Sequence, residues 1–212
     1  MEREFINIAA FSFLTLFPIV NPPAMTPIFL DMTSDITTVE RNRLAGKISW
    51  YTLILLLTVL FVGGWILKLL DISIHVIRIA GGLLLFNMAW QMLNSGSGES
   101  AQRNGGFKTE SSSKVFFPMT MPITAGPGTI AVTLSLIPTG SLLKLKTWIS
   151  FAGVATGIAA VSLVVFIFYR YSGYFFSRLG KQGIQVVTKL SAFILLAIGV
   201  EIIWKGYEGL IS

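Results

Sequence analysis

Two short segments offer chemistry inside an otherwise apolar chain: Asn21-Pro22-Pro23 and Gly126-Pro127-Gly128-Thr129. An Asn or Gly followed by Pro is the pattern of a helix start, a cap residue and then a first helical position whose missing amide hydrogen costs nothing. The first amides of a helix have no acceptor within it, and the helix dipole makes that end positive, so such starts bind carboxylates. The two starts are not equivalent. Pro22 and Pro23 lack amide hydrogens, which leaves the first poor in donors. The second offers the amides of Gly126, Gly128 and Thr129 and the Thr129 hydroxyl, and glycine lets a ligand approach the backbone. The expected binding set is therefore Asn21, Pro22, Thr120, Thr124, Gly126, Gly128 and Thr129. A substrate carboxylate would dock on Gly126–Thr129, and its ammonium on carbonyls that the prolines free, with Asn21 in support. Thr120 and Thr124 line the same cavity or bond their own helix backbone. No charged residue lies near either segment, which suits a net-neutral zwitterion.

Other polar residues have plainer readings beside functional ones. Glu201 is the acid well inside an apolar run and a candidate proton-coupling group, but Lys205 four residues on makes a helical ion pair the simpler expectation. Asn87 is interhelical glue or cavity lining. His75 and Arg78 read as interfacial anchors, and Gly153 with Gly157 as a close-packing GxxxG face. The absence of Cys excludes disulfides, thiolate metal sites and thiol electron carriers, and the single His makes no metal site alone. The apolar runs supply no Asp pair and no Ser–His arrangement for intramembrane proteolysis, so no enzyme activity and no cofactor are expected. The net charge of +6 is scattered through connections rather than clustered on one face, which argues against nucleic acid.

These residues must be positioned by membrane-spanning helices. Of 212 residues, 53% are apolar and 12% charged, and the mean hydropathy is +0.74. Soluble chains carry about 25% charge. A span needs about 20 apolar residues, and six runs qualify: Phe5–Leu30, Ile48–Leu67, Ile72–Leu93, Val115–Ile137, Thr147–Tyr169 and Gly183–Trp204. The start Met1-Glu2-Arg3-Glu4 lacks the positive region of a signal peptide, so the first run is expected to stay in the mature protein. Of 16 Lys and Arg residues, ten fall in or beside the loops after spans one, three and five, Lys189 near the start of span six among them, which predicts both termini outside the cell.

The eight prolines concentrate in spans one and four: Pro18, Pro22, Pro23 and Pro27, then Pro118, Pro122 and Pro127, with Pro138 just beyond. Each interior proline deletes an amide donor and clashes with the preceding turn. Both spans should therefore break near mid-membrane, and the freed carbonyls, including those of Pro18, Ile19, Pro23, Pro118 and Ile123, must face protein or a wet cavity. Shifting the chain by 104 residues lays Phe17-Pro18-Ile19-Val20-Asn21-Pro22 on Met121-Pro122-Ile123-Thr124-Ala125-Gly126, and Arg78–Leu85 lies beside Lys189–Leu196 at a similar offset. The expected architecture is all-α: one transmembrane domain, 1–212, of two three-helix repeats, 1–93 and 115–212, joined by a loop over 94–114. An odd number of spans inverts the second repeat, as in many secondary transporters.

On these residues the sequence resembles the MarC family, also described as neutral amino acid transporters. The matching features are Asn21-Pro22 with Pro27, Arg78-Ile79-Ala80-Gly81-Gly82, and Phe117-Pro118 through Met121-Pro122-Ile123-Thr124-Ala125-Gly126-Pro127-Gly128-Thr129-Ile130; Met119 and Met121 stand where Leu is frequent. The resemblance implies a multi-pass protein of the cytoplasmic (inner) membrane of a bacterium or archaeon. It implies a carrier for glycine- and alanine-like amino acids working by alternating access, with the proton gradient as candidate driving force. An exporter of small metabolites and a non-transporting membrane scaffold are the alternatives. Oligomeric state is not legible.

Overall fold

A computed structural model describes residues 2–94, 120, 124–138 and 145–211. Within these residues the chain is all helix and irregular connection: α1 (Glu2–Val20), α2 (Pro22–Met32), α3 (Thr38–Leu69), α4 (Ile74–Asn94), α5 (Pro127–Ser135), α6 (Leu145–Arg170) and α7 (Ser172–Ile211). Five of the described helices are long and apolar enough to cross a membrane: α1, α3, α4, α6 and the Gln182–Ile211 part of α7. The protein is a polytopic helical membrane protein. Of the fourth run, the helical part described is the nine-residue α5; Pro118, Pro122, Ile123 and the loop beyond Asn94 lie outside the described residues.

The first predicted run divides where its prolines require. Pro22, Pro23 and Pro27 cannot donate to the carbonyls of Pro18, Ile19 and Pro23, so the ladder fails over that turn. One residue absorbs the change. Asn21 takes the left-handed conformation (φ 43°, ψ 59°), which Asn tolerates better than other side chains bearing a Cβ. Helical bonding holds on both sides of it, Asn21 N–H to the Phe17 carbonyl at 2.8 Å and Met25 N–H to the Asn21 carbonyl at 3.1 Å. The polar stretch expected between the last two spans is instead helical. There α7 begins at Ser172 and breaks only at Gly180, whose φ of 61° a residue without a Cβ accepts freely.

Small residues set how the helices meet. A Cβ on Gly153 would lie 2.9 Å from Ile8, and one on Gly157 2.6 Å from Ser12, so α1 and α6 run parallel in close contact, as the GxxxG spacing predicts. α3 runs antiparallel to α6, with the Ser49 hydroxyl on the Ser162 carbonyl at 2.6 Å and Phe61 stacked on Phe151. α4 packs antiparallel to α7 through Gly82 and Gly199, and antiparallel to α5 through Gly81 against Ala131. α1 also packs on α5, so the two interrupted segments are neighbours. Leu16, Val20, Leu56, Leu85, Val132, Ile158 and Leu195 fill the interior. Outward faces are apolar, with exposed Trp65, Trp90, Trp148 and Trp204 near helix ends, where aromatic belts meet the membrane interface.

Candidate functional site

At the first interruption the donors are consumed locally. The Asn21 side-chain oxygen accepts the Ala24 N–H at 3.4 Å, which caps α2, and Pro22 and Pro23 have no amide hydrogen. The Pro22 carbonyl accepts the Thr26 hydroxyl at 2.8 Å. What remains is the Asn21 amide nitrogen, buried and without a hydrogen-bond partner. The Asn21 residue is 1% exposed, so this is a donor held in the interior, where an unmet donor costs on the order of 1–3 kcal/mol.

The second interruption keeps its donors. Gly126 is the N-cap of α5 in extended conformation (φ −78°, ψ 179°) and supplies no side-chain cap. Pro127 is the first helical residue, so Gly128 and Thr129 carry the first amides, and α5 itself contains no acceptor for them. Gly128 and Thr129 are buried, as are Thr120 and Thr124. The Ala125 N–H returns to the Thr120 carbonyl at 2.8 Å, a turn wider than an α-helical one. Gly128 also has a packing reason for lacking a side chain, because a Cβ there would lie 2.7 Å from the Met88 sulfur on α4.

The expected residues thus fall into two groups. Asn21 and Pro22 form the α1–α2 junction, and every hydrogen bond of Asn21 stays within it. Thr120, Thr124, Gly126, Gly128 and Thr129 form the entry to α5. Tyr169, which nothing in its sequence context marked beyond an aromatic at a span end, bridges the second group to α2. Its hydroxyl lies 3.0 Å from the Thr124 hydroxyl, and its ring stacks on Phe29 of α2 with centroids 4.5 Å apart and planes within 6°. Tyr169 and Phe29 are 2% and 3% exposed, a buried aromatic pair between α6 and α2.

Both short helices end on an arginine. Arg41 reaches back from α3 to the end of α2 and donates to the Thr33 carbonyl at 2.9 Å and the Thr33 hydroxyl at 3.1 Å. Arg78 of α4 donates to the Ser135 carbonyl at the end of α5, at 3.3 Å. A cation at a helix C-terminus meets unpaired carbonyls and the negative end of the dipole.

Arg78 and His75, near the start of α4, are turned toward neighbouring helices. Both line an open cavity of about 600 Å³ at the end of the bundle that carries the termini, bounded by α1, α4, the last turn of α5, α6 and α7. Ser12, Ser135, Lys205 and Glu208 share its wall. Glu201 is not on that wall: it is exposed and ion-paired with Lys205 at 3.0 Å. Asn87 is on the outward face of α4. The cavity stops at the C-terminal end of α5, and the buried threonines stand at the other end of the same helix.

Fold and cavity together define a multi-pass membrane protein with helices interrupted around an internal polar region. The chain belongs to the MarC family of integral membrane proteins, whose family model matches residues 6–211. It is similar to the UPF0056 membrane protein YvbG of Bacillus subtilis, 36% identical over 201 residues that cover 93% of each chain. It is also similar to YhcE of Escherichia coli, 33% identical over 93% of this chain and 91% of that one. The inner membrane protein MarC of Citrobacter koseri is 30% identical over 91% of this chain and 90% of its own. No solved structure matches.

Proposed function

We propose that this protein is a secondary carrier of small neutral amino acids, glycine and alanine among them, in the cytoplasmic membrane, working by alternating access. The observation that carries the reading is α5: a nine-residue helix with a buried, donor-bearing N-terminus and a C-terminus on an open cavity. In this reading the open cavity at one end of the bundle and the buried Tyr169–Phe29 pair toward the other correspond to one of the two states that alternating access requires. A shift of α5 along α4 would join cavity and buried donors. In this reading the substrate carboxylate meets the Gly128 and Thr129 amides, and Asn21 supplies its unpaired amide group.

The helix pairings also support two inverted repeats, 1–93 and 115–212. With α2 equivalent to α5, α3 to α6 and α4 to α7, contacts of α2 with α6 have their counterpart in α5 with α3, and contacts of α4 with α5 have theirs in α7 with α2; α3–α6 and α4–α7 map onto themselves. That is the pairing a two-fold axis in the membrane plane produces. Both termini on the outside follows from the Lys and Arg distribution.

The test is flux of labelled glycine and alanine into proteoliposomes, with and without a pH gradient. Saturable uptake that the gradient stimulates, and that Thr129→Val reduces at unchanged protein yield and thermal midpoint, is expected. Absence of any substrate-dependent flux would return the protein to the scaffold class. Gly128→Val is a poorer test, since its added side chain also presses on Met88.

A further inference from the structure

We infer that the cavity beside the termini is itself a binding site, separate from the buried one at the start of α5, and that Arg78 takes the carboxylate of a small amino acid there. The inference concerns a residue to which the carrier reading assigns no role, and it names the amino acid on the strength of that reading.

Two observations converge on one volume. Arg78 stands in a membrane-crossing helix, half-buried, with a single hydrogen bond from Nε to the Ser135 carbonyl and no acidic partner among the described residues. An ionisable group in a span without a counter-ion is costly and marks a site where something else supplies the charge. Ser12, 1% exposed on α1, lines the same cavity, and its hydroxyl is buried with no hydrogen-bond partner. His75 shares that wall, but its buried Nδ1 lies against Gly209 of α7 and offers nothing to the open space. Arg78 and Ser12 thus bring unmet hydrogen-bonding capacity to the border of a space of about 600 Å³, ample for an amino acid.

The charge pattern selects the class of ligand. The wall carries Arg78 and Lys205 against Glu208, and Lys205 is already engaged by Glu201. That leaves one guanidinium for a single negative group, with an acid on the same wall. A dianion such as phosphate would lack a second free cation, whereas a single carboxylate matches the one guanidinium; Glu208 on the same wall already accepts the Trp204 indole N–H at 2.7 Å. A guanidinium offers two parallel N–H donors to a carboxylate, a geometry an ammonium cannot reproduce. With Nε committed to Ser135, the terminal nitrogens of Arg78 are the pair available.

The experiment is equilibrium binding to the purified full-length protein in lipid nanodiscs, with L-alanine, acetate, L-alaninamide and inorganic phosphate as probes and the thermal midpoint as a control of folding. Alanine is expected to bind, acetate to compete with it, and alaninamide and phosphate not to compete. Arg78→Gln should weaken alanine binding at least about tenfold, and Arg78→Lys should restore only part of it. Ser12→Ala keeps the Cβ that packs on Gly157, so its thermal midpoint should hold or rise while alanine binds several-fold more weakly. Alaninamide binding as tightly as alanine, displacement of alanine by phosphate, or wild-type affinity in both Arg78→Lys and Ser12→Ala would overturn the assignment. Binding and flux fail separately. Arg78-dependent alanine binding without any flux would sink the carrier reading and leave this site standing. Flux with Arg78-independent binding would do the reverse.

Discussion

Gly82 and Gly199 press the backbones of α4 and α7 together reciprocally. A Cβ on Gly82 would lie 2.7 Å from the Gly199 carbonyl oxygen, and a Cβ on Gly199 would lie 3.0 Å from that of Gly82. Neither obstacle is the end of a flexible side chain, so a substitution must separate the helices. In a membrane, where packing rather than water exclusion drives association, such contacts hold the bundle. Gly82→Ala should cost on the order of 1–3 kcal/mol and Gly82→Val more, read as a lower thermal midpoint in detergent. Gly173, with no atom within 4 Å of its would-be Cβ, is the control and should tolerate Ala. Equal midpoints for the two alanine variants would mean that α4 and α7 do not touch there.

Asn21 separates two roles that one residue combines. Its left-handed backbone and its cap on Ala24 are structural, whereas its buried amide nitrogen has no structural partner. Asn21→Gly keeps the backbone conformation and should cost only a few tenths of a kcal/mol relative to the cap. Asn21→Ala adds strain at positive φ and should cost about 1–2 kcal/mol more. If the amide serves the substrate, both variants lose uptake alike although only Ala loses stability. Uptake that tracks the thermal midpoint across the pair would assign Asn21 to the fold alone.

How far the sequence disclosed this arrangement depends on whether a feature is local. Pro22 and Pro23 remove donors by their covalent structure, so the break at Asn21 was legible, as were the exhausted donors of α2 and the retained ones of α5. Gly153 and Gly157 fix a helix face by spacing alone, and Glu201 with Lys205 sits one turn apart. The rest depends on helix azimuth and on where chains converge. Arg78 looked like an anchor because its distance from the span start says nothing about which way it points; α5 and α7 turn it inward. The cavity is made by five helices and has no contiguous sequence. The helical stretch 172–179 is not legible because its polar residues read as a connection, although only Gly180 leaves helical geometry.

Tyr169 joins Thr124 to Phe29, and its two contacts are separable. Tyr169→Phe removes the 3.0 Å contact with Thr124 and keeps the stack on Phe29, so it should cost about 1 kcal/mol. Tyr169→Ala removes both and leaves a void in a fully buried site, costing about 3–5 kcal/mol if the protein folds. On the carrier reading the buried Tyr169–Phe29 pair bars the solute path, so Tyr169 should also control leak. Proteoliposomes with Tyr169→Phe are expected to show faster passive efflux of preloaded alanine at near-normal stability. Efflux equal to wild type would restrict Tyr169 to packing.

The chain has no cysteine, so single cysteines report access without further engineering. Ser150 lines the cavity, and its hydroxyl only returns to the Lys146 carbonyl at 3.1 Å, so Ser150→Cys should leave the fold intact. Thr129, 2% exposed, lies at the far end of α5. In intact cells a membrane-impermeant maleimide should label Ser150→Cys rapidly if the termini face outward, and should leave Thr129→Cys unlabelled at rest. Labelling of Ser150→Cys only after lysis would put the termini inside. Adding alanine with a gradient should make Thr129→Cys reactive, because turnover must expose the buried donors to water on one side and then the other. Alanine should also slow labelling at Ser150→Cys, by occupying the cavity. A Thr129→Cys variant that transports yet never reacts under turnover would show that the solute path avoids the start of α5.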